Sequence, residues 1–198
     1  MPVALLPLFG AALGAAGGIL YLAASRVLSA PAAALVAVLF WASASNAFRE
    51  DRLIGAPREN LQRTGILARL LTASVWLVAL PRLDVQRVLL VCVAGQCVSR
   101  AAVMAVAWVS RPAAGGLELS ARLRSGAVMA ALAQGVLAAG LCGARAGAVI
   151  LISTYLAIRA ARWWLYRTRG GIDGNGISSL RLLVEMLAVL AAALITGH

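Results

Sequence analysis

Uncharged apolar blocks alternate with short arginine-bearing breaks along the chain, and most blocks approach the ~20 residues that one helical membrane span needs. Val3 to Ser25 carries no charge and places Gly10, Gly14 and Gly18 four residues apart. That small-xxx-small spacing lets a second helix approach closely. No basic stretch precedes this block, so a retained helix is expected instead of a cleaved signal. Arg26 interrupts, and Val27 to Phe48 follows as a second block with Pro31 near its start. Arg49 to Arg63 is polar, with four arginines and three of the seven acids. Thr64 to Leu80 reads as a third span with Arg69 inside it. A turn carrying Pro81, Arg82, Asp84 and Arg87 leads to a fourth run, which encloses Arg100 and ends near Val109. The loop Ser110 to Arg124 holds Arg111, Pro112, Gly115, Gly116, Glu118, Arg122 and Arg124. Ser125 to Ala144 is uncharged, and Arg145 separates it from Ala146 to Ile158. Arg159 to Arg181 is expected to be the richest polar segment, and Leu182 to Gly197, containing Glu185, the last span. The pattern predicts an all-α, polytopic transmembrane helix bundle of about seven spans, in a single integral membrane domain over residues 1–198.

Composition agrees. Of 198 residues, 62% are hydrophobic and 13% charged, and the mean hydropathy is +0.90. A soluble fold of this size leaves about a third of its surface exposed and has too little interior for so much apolar surface. Cys92, Cys97 and Cys142 lie within apolar runs without metal-ligand spacing and read as small buried side chains. The net charge is +11, and all eighteen basic residues are arginine. In a soluble domain this balance would suggest nucleic acid. Strung between spans, the arginines instead set topology and meet anionic lipid or phosphate, so no nucleic-acid partner is expected. With seven spans, the three long polar segments hold twelve arginines and the opposite side holds four, Arg26, Arg82, Arg87 and Arg145. The positive-inside bias then places the long loops in the cytoplasm of a bacterial inner membrane, with His198 outside. Trp163, Trp164 and Tyr166 read as an interfacial aromatic belt.

Soluble-enzyme motifs are missing: the sequence has no P-loop, no Gly-x-Ser-x-Gly, no Cys-x-x-Cys and a single histidine. What remains on the loops is arginine, glycine and a few carboxylates. Arginine forks bind phosphate bidentately, glycine-rich turns bring backbone N–H groups to it, and carboxylates hold Mg²⁺ beside substrate phosphates. The combination points to a phosphorylated or pyrophosphate-bearing substrate. The competing reading is a set of loops that only turn and set orientation. Glu185 and Arg100 stand apart because ionised groups inside apolar helices are costly, and pairing would relieve both.

Several segments, in order, resemble the cobalamin synthase family, the adenosylcobinamide-GDP ribazoletransferases. Leu5-Leu6-Pro7-Leu8-Phe9-Gly10 through Tyr21 is similar to that family's first glycine-rich span. Asp51-Arg52-Leu53-Ile54-Gly55-Ala56 resembles its Asp-Ser-Arg-Ile-Gly-Ala segment. Arg100 and the Arg111-Pro112…Gly115-Gly116-Leu117 loop resemble its mid-chain arginine and following loop. Gly170-Gly171-Ile172-Asp173-Gly174-Asn175-Gly176 resembles its Gly-Gly-(Val/Ile)-Thr-Gly-Asp segment.

The resemblance implies a transferase that joins adenosylcobinamide-GDP to α-ribazole, or its 5′-phosphate, and releases GMP with Mg²⁺. It also allows a homo-oligomer or corrinoid-pathway enzyme partners. Under that implication Asp51, Asp173 and Asn175 are the catalytic candidates. Arg52, Arg100, Arg111, Gly170, Gly171 and Gly174 would bind substrate phosphate, and Asp51, Asp173 and Glu185 would hold the metal, converging if the second, third and seventh spans pack together. The chain also departs from the family. Its acidic signature, His-x-Asp-Gly-x-x-Asp-x-x-Asp, is absent where Ser43-Ala44-Ser45-Asn46-Ala47-Phe48 runs into Arg49-Glu50-Asp51. Asn175 stands at the family's aspartate and Asp173 at its threonine. A non-catalytic relative that scaffolds corrinoid enzymes is therefore the alternative expectation.

Overall fold

The computed structural model describes residues 3–47, 64–113 and 123–196. They form seven helices: α1 Leu6–Ala24, α2 Ala30–Ala47, α3 Thr64–Ala79, α4 Val85–Val109, α5 Ser125–Gly140, α6 Ala144–Arg169 and α7 Gly174–Thr196. No strand occurs among the described residues beyond one isolated parallel bridge, Pro112 to Ile172. Each helix occupies one of the expected apolar blocks, and the break near Arg145 is real. Gly143, with φ of 93°, separates α5 from α6 in a backbone conformation that a side chain would strain.

One expectation is corrected. Arg159 to Arg181 is not a loop. Nothing in Arg159–Arg169 breaks a helix, so α6 runs on to Gly170, whose φ of 69° provides the left-handed stop. The connection shrinks to Gly170–Asp173, and α7 begins at Gly174, eight residues before the expected span. Glu185 therefore lies about 16 Å along α7, three turns in, and not one.

The long helix α4 is the centre of the bundle, and α1, α5 and α7 pack against it. Its apolar residues face neighbours on several sides, as a helix without a polar face requires. Small residues set how closely the helices pack. A Cβ at Gly14 would lie 2.3 Å from the Cys92 carbonyl oxygen, and one at Gly135 would lie 2.8 Å from the Ala101 methyl. Gly10 meets Gln96 and Arg100, whereas Gly18 meets Leu89 and Cys92, so α1 runs antiparallel to α4. Two main apolar clusters fill the interior. One joins α4 to α6 and α7 through Val98, Ile150, Ile177 and Val184. The other gathers Tyr21, Trp41, Trp76 and Val88 from the first four helices.

Four helices, α1, α4, α6 and α7, are long and apolar enough to cross a membrane. Helices α3 and α5 have 16 residues each, about 24 Å against a hydrocarbon core of about 30 Å. Leu39, Leu70, Leu137, Ile152 and Leu194 are exposed. So many outward apolar side chains suit a lipid surround better than water.

Candidate functional site

The deepest polar group in the bundle is an ion cluster between α4 and α7. Arg100, Arg181 and Glu185 are all buried, at 1%, 5% and 5% exposure. Glu185 Oε1 lies 3.9 Å from Arg100 Nη1 and 3.5 Å from Arg181 Nε. Ser99 Oγ donates to the same oxygen at 3.3 Å. Arg100 Nη1 also donates to the Gln96 backbone oxygen at 2.9 Å and to Gln96 Oε1 at 2.7 Å. Gly10 leaves the room that Arg100 occupies, since a Cβ there would meet the arginine Cδ at 2.6 Å. The pairing of Arg100 with Glu185 is the one their apolar surroundings call for, because a charge away from water persists only when matched and hydrogen-bonded.

An open cleft adjoins this cluster, its wall including Trp41, Arg69, Thr72, Trp76, Arg181 and Glu185. Two tryptophans form its apolar side, with ring centroids 4.4 Å apart. Trp41 is fixed by donating from Nε1 to the Leu13 carbonyl at 2.9 Å, beside Gly17, where any side chain would collide with the indole. Arg69 and Arg181 bring guanidinium groups from α3 and α7. The sequence reading did not single out Arg181, Gln96 or Arg69 as site residues. The signal was present: Arg181 precedes Glu185 by four residues and Gln96 precedes Arg100 by four, the spacing that stacks side chains on one helix face.

A second feature lies at the end of the bundle where α4 stops and α7 starts. The Ile172 N–H donates to the Arg111 carbonyl and the Ala113 N–H to the Ile172 carbonyl, both at 3.0 Å. Gly171 is required here, because a Cβ would lie 2.8 Å from the Ala113 nitrogen. Tyr166 Oη accepts the Arg111 N–H at 2.6 Å, and Arg162 donates to the Val109 carbonyl at 3.2 Å. The fold thus joins the Arg111 loop to the Gly170–Gly176 run, although they are far apart in sequence. The Arg111 side chain is exposed there. Asn175 Oδ1 is buried without a hydrogen-bond partner among the described residues.

The expected carboxylate site does not assemble from the described residues. Asp173 is the N-cap of α7: its Oδ1 accepts the Gly176 N–H at 2.8 Å, while Oδ2 pairs with Arg169. Asp173 and Glu185 are twelve residues apart on one helix, about 18 Å along its axis. They cannot share an ion. Each is already held by arginine and by a hydrogen-bond donor, and no group of three His, Cys, Asp or Glu able to hold a metal occurs among the described residues. These carboxylates do not fit Mg²⁺. Asp51 and Arg52, also expected in the site, lie outside the described residues.

The chemistry available is anion recognition. A guanidinium has five N–H donors in a rigid fork, so an arginine that holds a carboxylate can still take a phosphate oxygen. No family model, curated protein or solved structure matches this chain.

Proposed function

We propose that the protein is a seven-span inner-membrane member of the cobalamin synthase type, holding a pyrophosphate-bearing substrate at its arginine-lined cleft. Under this reading it is an adenosylcobinamide-GDP ribazoletransferase, with the Arg111 and Gly170 loops in the cytoplasm. The observation that carries the reading is the cleft itself, where Arg69 and Arg181 line an open space beside Trp41 and Trp76. A phosphate group meets the guanidinium forks, beside the apolar edge that Trp41 and Trp76 give the cleft.

In the reaction, a ribazole hydroxyl oxygen attacks the pyrophosphate phosphorus that carries the cobinamide. The new P–O bond forms, the bond to the GMP oxygen breaks, and the hydroxyl proton leaves to solvent. Arginines contribute by holding the pyrophosphate in line and stabilising charge on the departing phosphate. Mg²⁺ in the family's reaction would neutralise phosphate charge, but Asp173 and Glu185 do not fit it.

A specific observation favours a second reading, a non-catalytic relative that binds the corrinoid substrate or its enzymes. Both described carboxylates of the expected site are committed to arginines, and the acidic signature is missing from the sequence. One experiment separates the two. Purified protein is incubated with adenosylcobinamide-GDP and each ribazole form, and GMP release is measured together with restoration of cobalamin production in a strain lacking its own synthase. Release and restoration support the transferase. A folded, membrane-inserted protein that binds adenosylcobinamide-GDP without releasing GMP supports the relative, and one that does neither overturns the transferase and leaves only a scaffold for corrinoid enzymes.

A further inference from the structure

Helix α6 carries a stripe that changes character along its length. Val149, Ile152, Leu156, Arg159, Trp163 and Arg167 recur at three- and four-residue intervals, so they lie on one face. All six are exposed. The first three are aliphatic; the last three are two arginines around a tryptophan. Trp163 is 62% exposed, and the Arg167 guanidinium lies over its ring, 4.9 Å from the centroid. Trp164 beside it is also exposed. From Ala144 to Trp163 the helix rises about 29 Å, the thickness of a hydrocarbon core, so Trp163 falls at the headgroup level and the aliphatic stripe falls within the acyl chains.

We propose that this face is a binding site for an anionic phospholipid. Acyl chains lie along Val149, Ile152 and Leu156, and the headgroup phosphate sits between Arg159 and Arg167. Charge and depth together choose this occupant. Arg159 is just over a turn below Trp163, inside the edge of the hydrocarbon, where a long arginine reaches outward toward the headgroups and a phosphate drawn inward matches it. A soluble anion would not reach the aliphatic half of the stripe, and a zwitterionic lipid brings its own cation to compete with the arginines. The trimethylammonium of such a lipid would meet the like charges of Arg159 and Arg167, whose backbone positions are about 12 Å apart along the axis, an unfavourable contact.

The inference rests on α6 crossing the membrane, and the test separates the two. Full-length protein is reconstituted into equimolar phosphatidylglycerol and phosphatidylcholine, with bromine placed on the acyl chains of one lipid at a time. The tryptophan fluorescence component that disappears in Trp163→Phe is followed. Brominated phosphatidylglycerol should quench it at least three-fold more than brominated phosphatidylcholine, and Arg159→Gln/Arg167→Gln should bring the ratio near one. Equal quenching in the parent protein, or a ratio unchanged in the double variant, overturns the lipid site while leaving the span intact. Absence of quenching by either lipid would mean that protein, such as a second copy, covers this face, and would also overturn it. Release of the protein from membranes by alkaline carbonate would instead overturn the spanning reading and the lipid site with it.

Discussion

At the scale of single residues, the most consequential side chain is Glu185. One carboxylate oxygen holds two buried arginines and a serine hydroxyl. Removing its charge leaves buried cations uncompensated, which costs about 3–5 kcal/mol in soluble proteins. Glu185→Gln is therefore expected to lower the melting temperature in detergent more than Arg69→Gln does; an unchanged melting temperature would contradict the cluster's role. Asp173 predicts a different result. As an N-cap it should tolerate Asn, which caps equally well, while Asp173→Ala loses about 1 kcal/mol. Equal losses for Asn and Ala in chemical denaturation would show that pairing with Arg169, and not the cap, is what matters. Cys142, in the turn between α5 and α6, has its thiol pushed up to about 11 by burial. At pH 8 it is protonated, and because the thiolate is the nucleophile, maleimide labelling should be slow and rise steeply as pH increases. Labelling at the rate of a free cysteine would contradict that burial.

At the scale of helices, contacts between α1 and α4 depend on atoms that are absent. Gly14 lies against the backbone of α4 at Cys92, where no flexible side-chain end can move aside. Gly14→Val should separate the two helices and cost 1–3 kcal/mol or more, within the range of core overpacking. Gly126 is the control: nothing lies within 4 Å of a Cβ there, and Ala favours helix over Gly by up to about 1 kcal/mol. Gly126→Ala should leave the melting temperature at or slightly above that of the parent. If both changes are equally harmful, helix propensity and not close packing controls stability. The stop of α6 follows the same logic. Gly170 was visible as part of a motif, but its left-handed φ shows that it also ends a helix that runs eleven residues further than the arginines alone suggested.

At the scale of the whole molecule, α4 runs from Val85 to Val109, so the end carrying the Pro112–Ile172 bridge is opposite the turn at Asp84. Reporter fusions at Asp84 and Pro112 should give opposite signals, with Pro112 cytoplasmic; equal signals would break the seven-span topology. The arginine cleft and the loop junction both belong to the half of the bundle nearer Pro112. If the cleft holds the substrate of the proposed function, Arg181→Gln should weaken binding of adenosylcobinamide-GDP at least ten-fold in a direct binding assay without preventing membrane insertion. Unchanged affinity would remove the cleft from the substrate path.

The sequence by itself determined the helical class, the seven apolar blocks and the need for a partner to Arg100, because each follows from local hydropathy and from the cost of charge away from water. It also marked Gly10, Gly14 and Gly18 as a close-packing face, since their spacing alone puts them on one side of a helix. It misplaced the end of α6 because arginine and tryptophan are compatible with a helix that continues, and the start of α7 for the same reason, since polarity alone does not end a helix. Only the tertiary structure decided that Asp173 caps α7 while Glu185 binds arginines three turns further on. Their separation is set by helical rise, which depends on where the helix begins. The tertiary structure likewise brought Arg69 on α3 to the cleft beside Arg181 and joined Arg111 to Ile172. Those contacts link distant parts of the chain, and no spacing within either segment encodes which neighbour it meets.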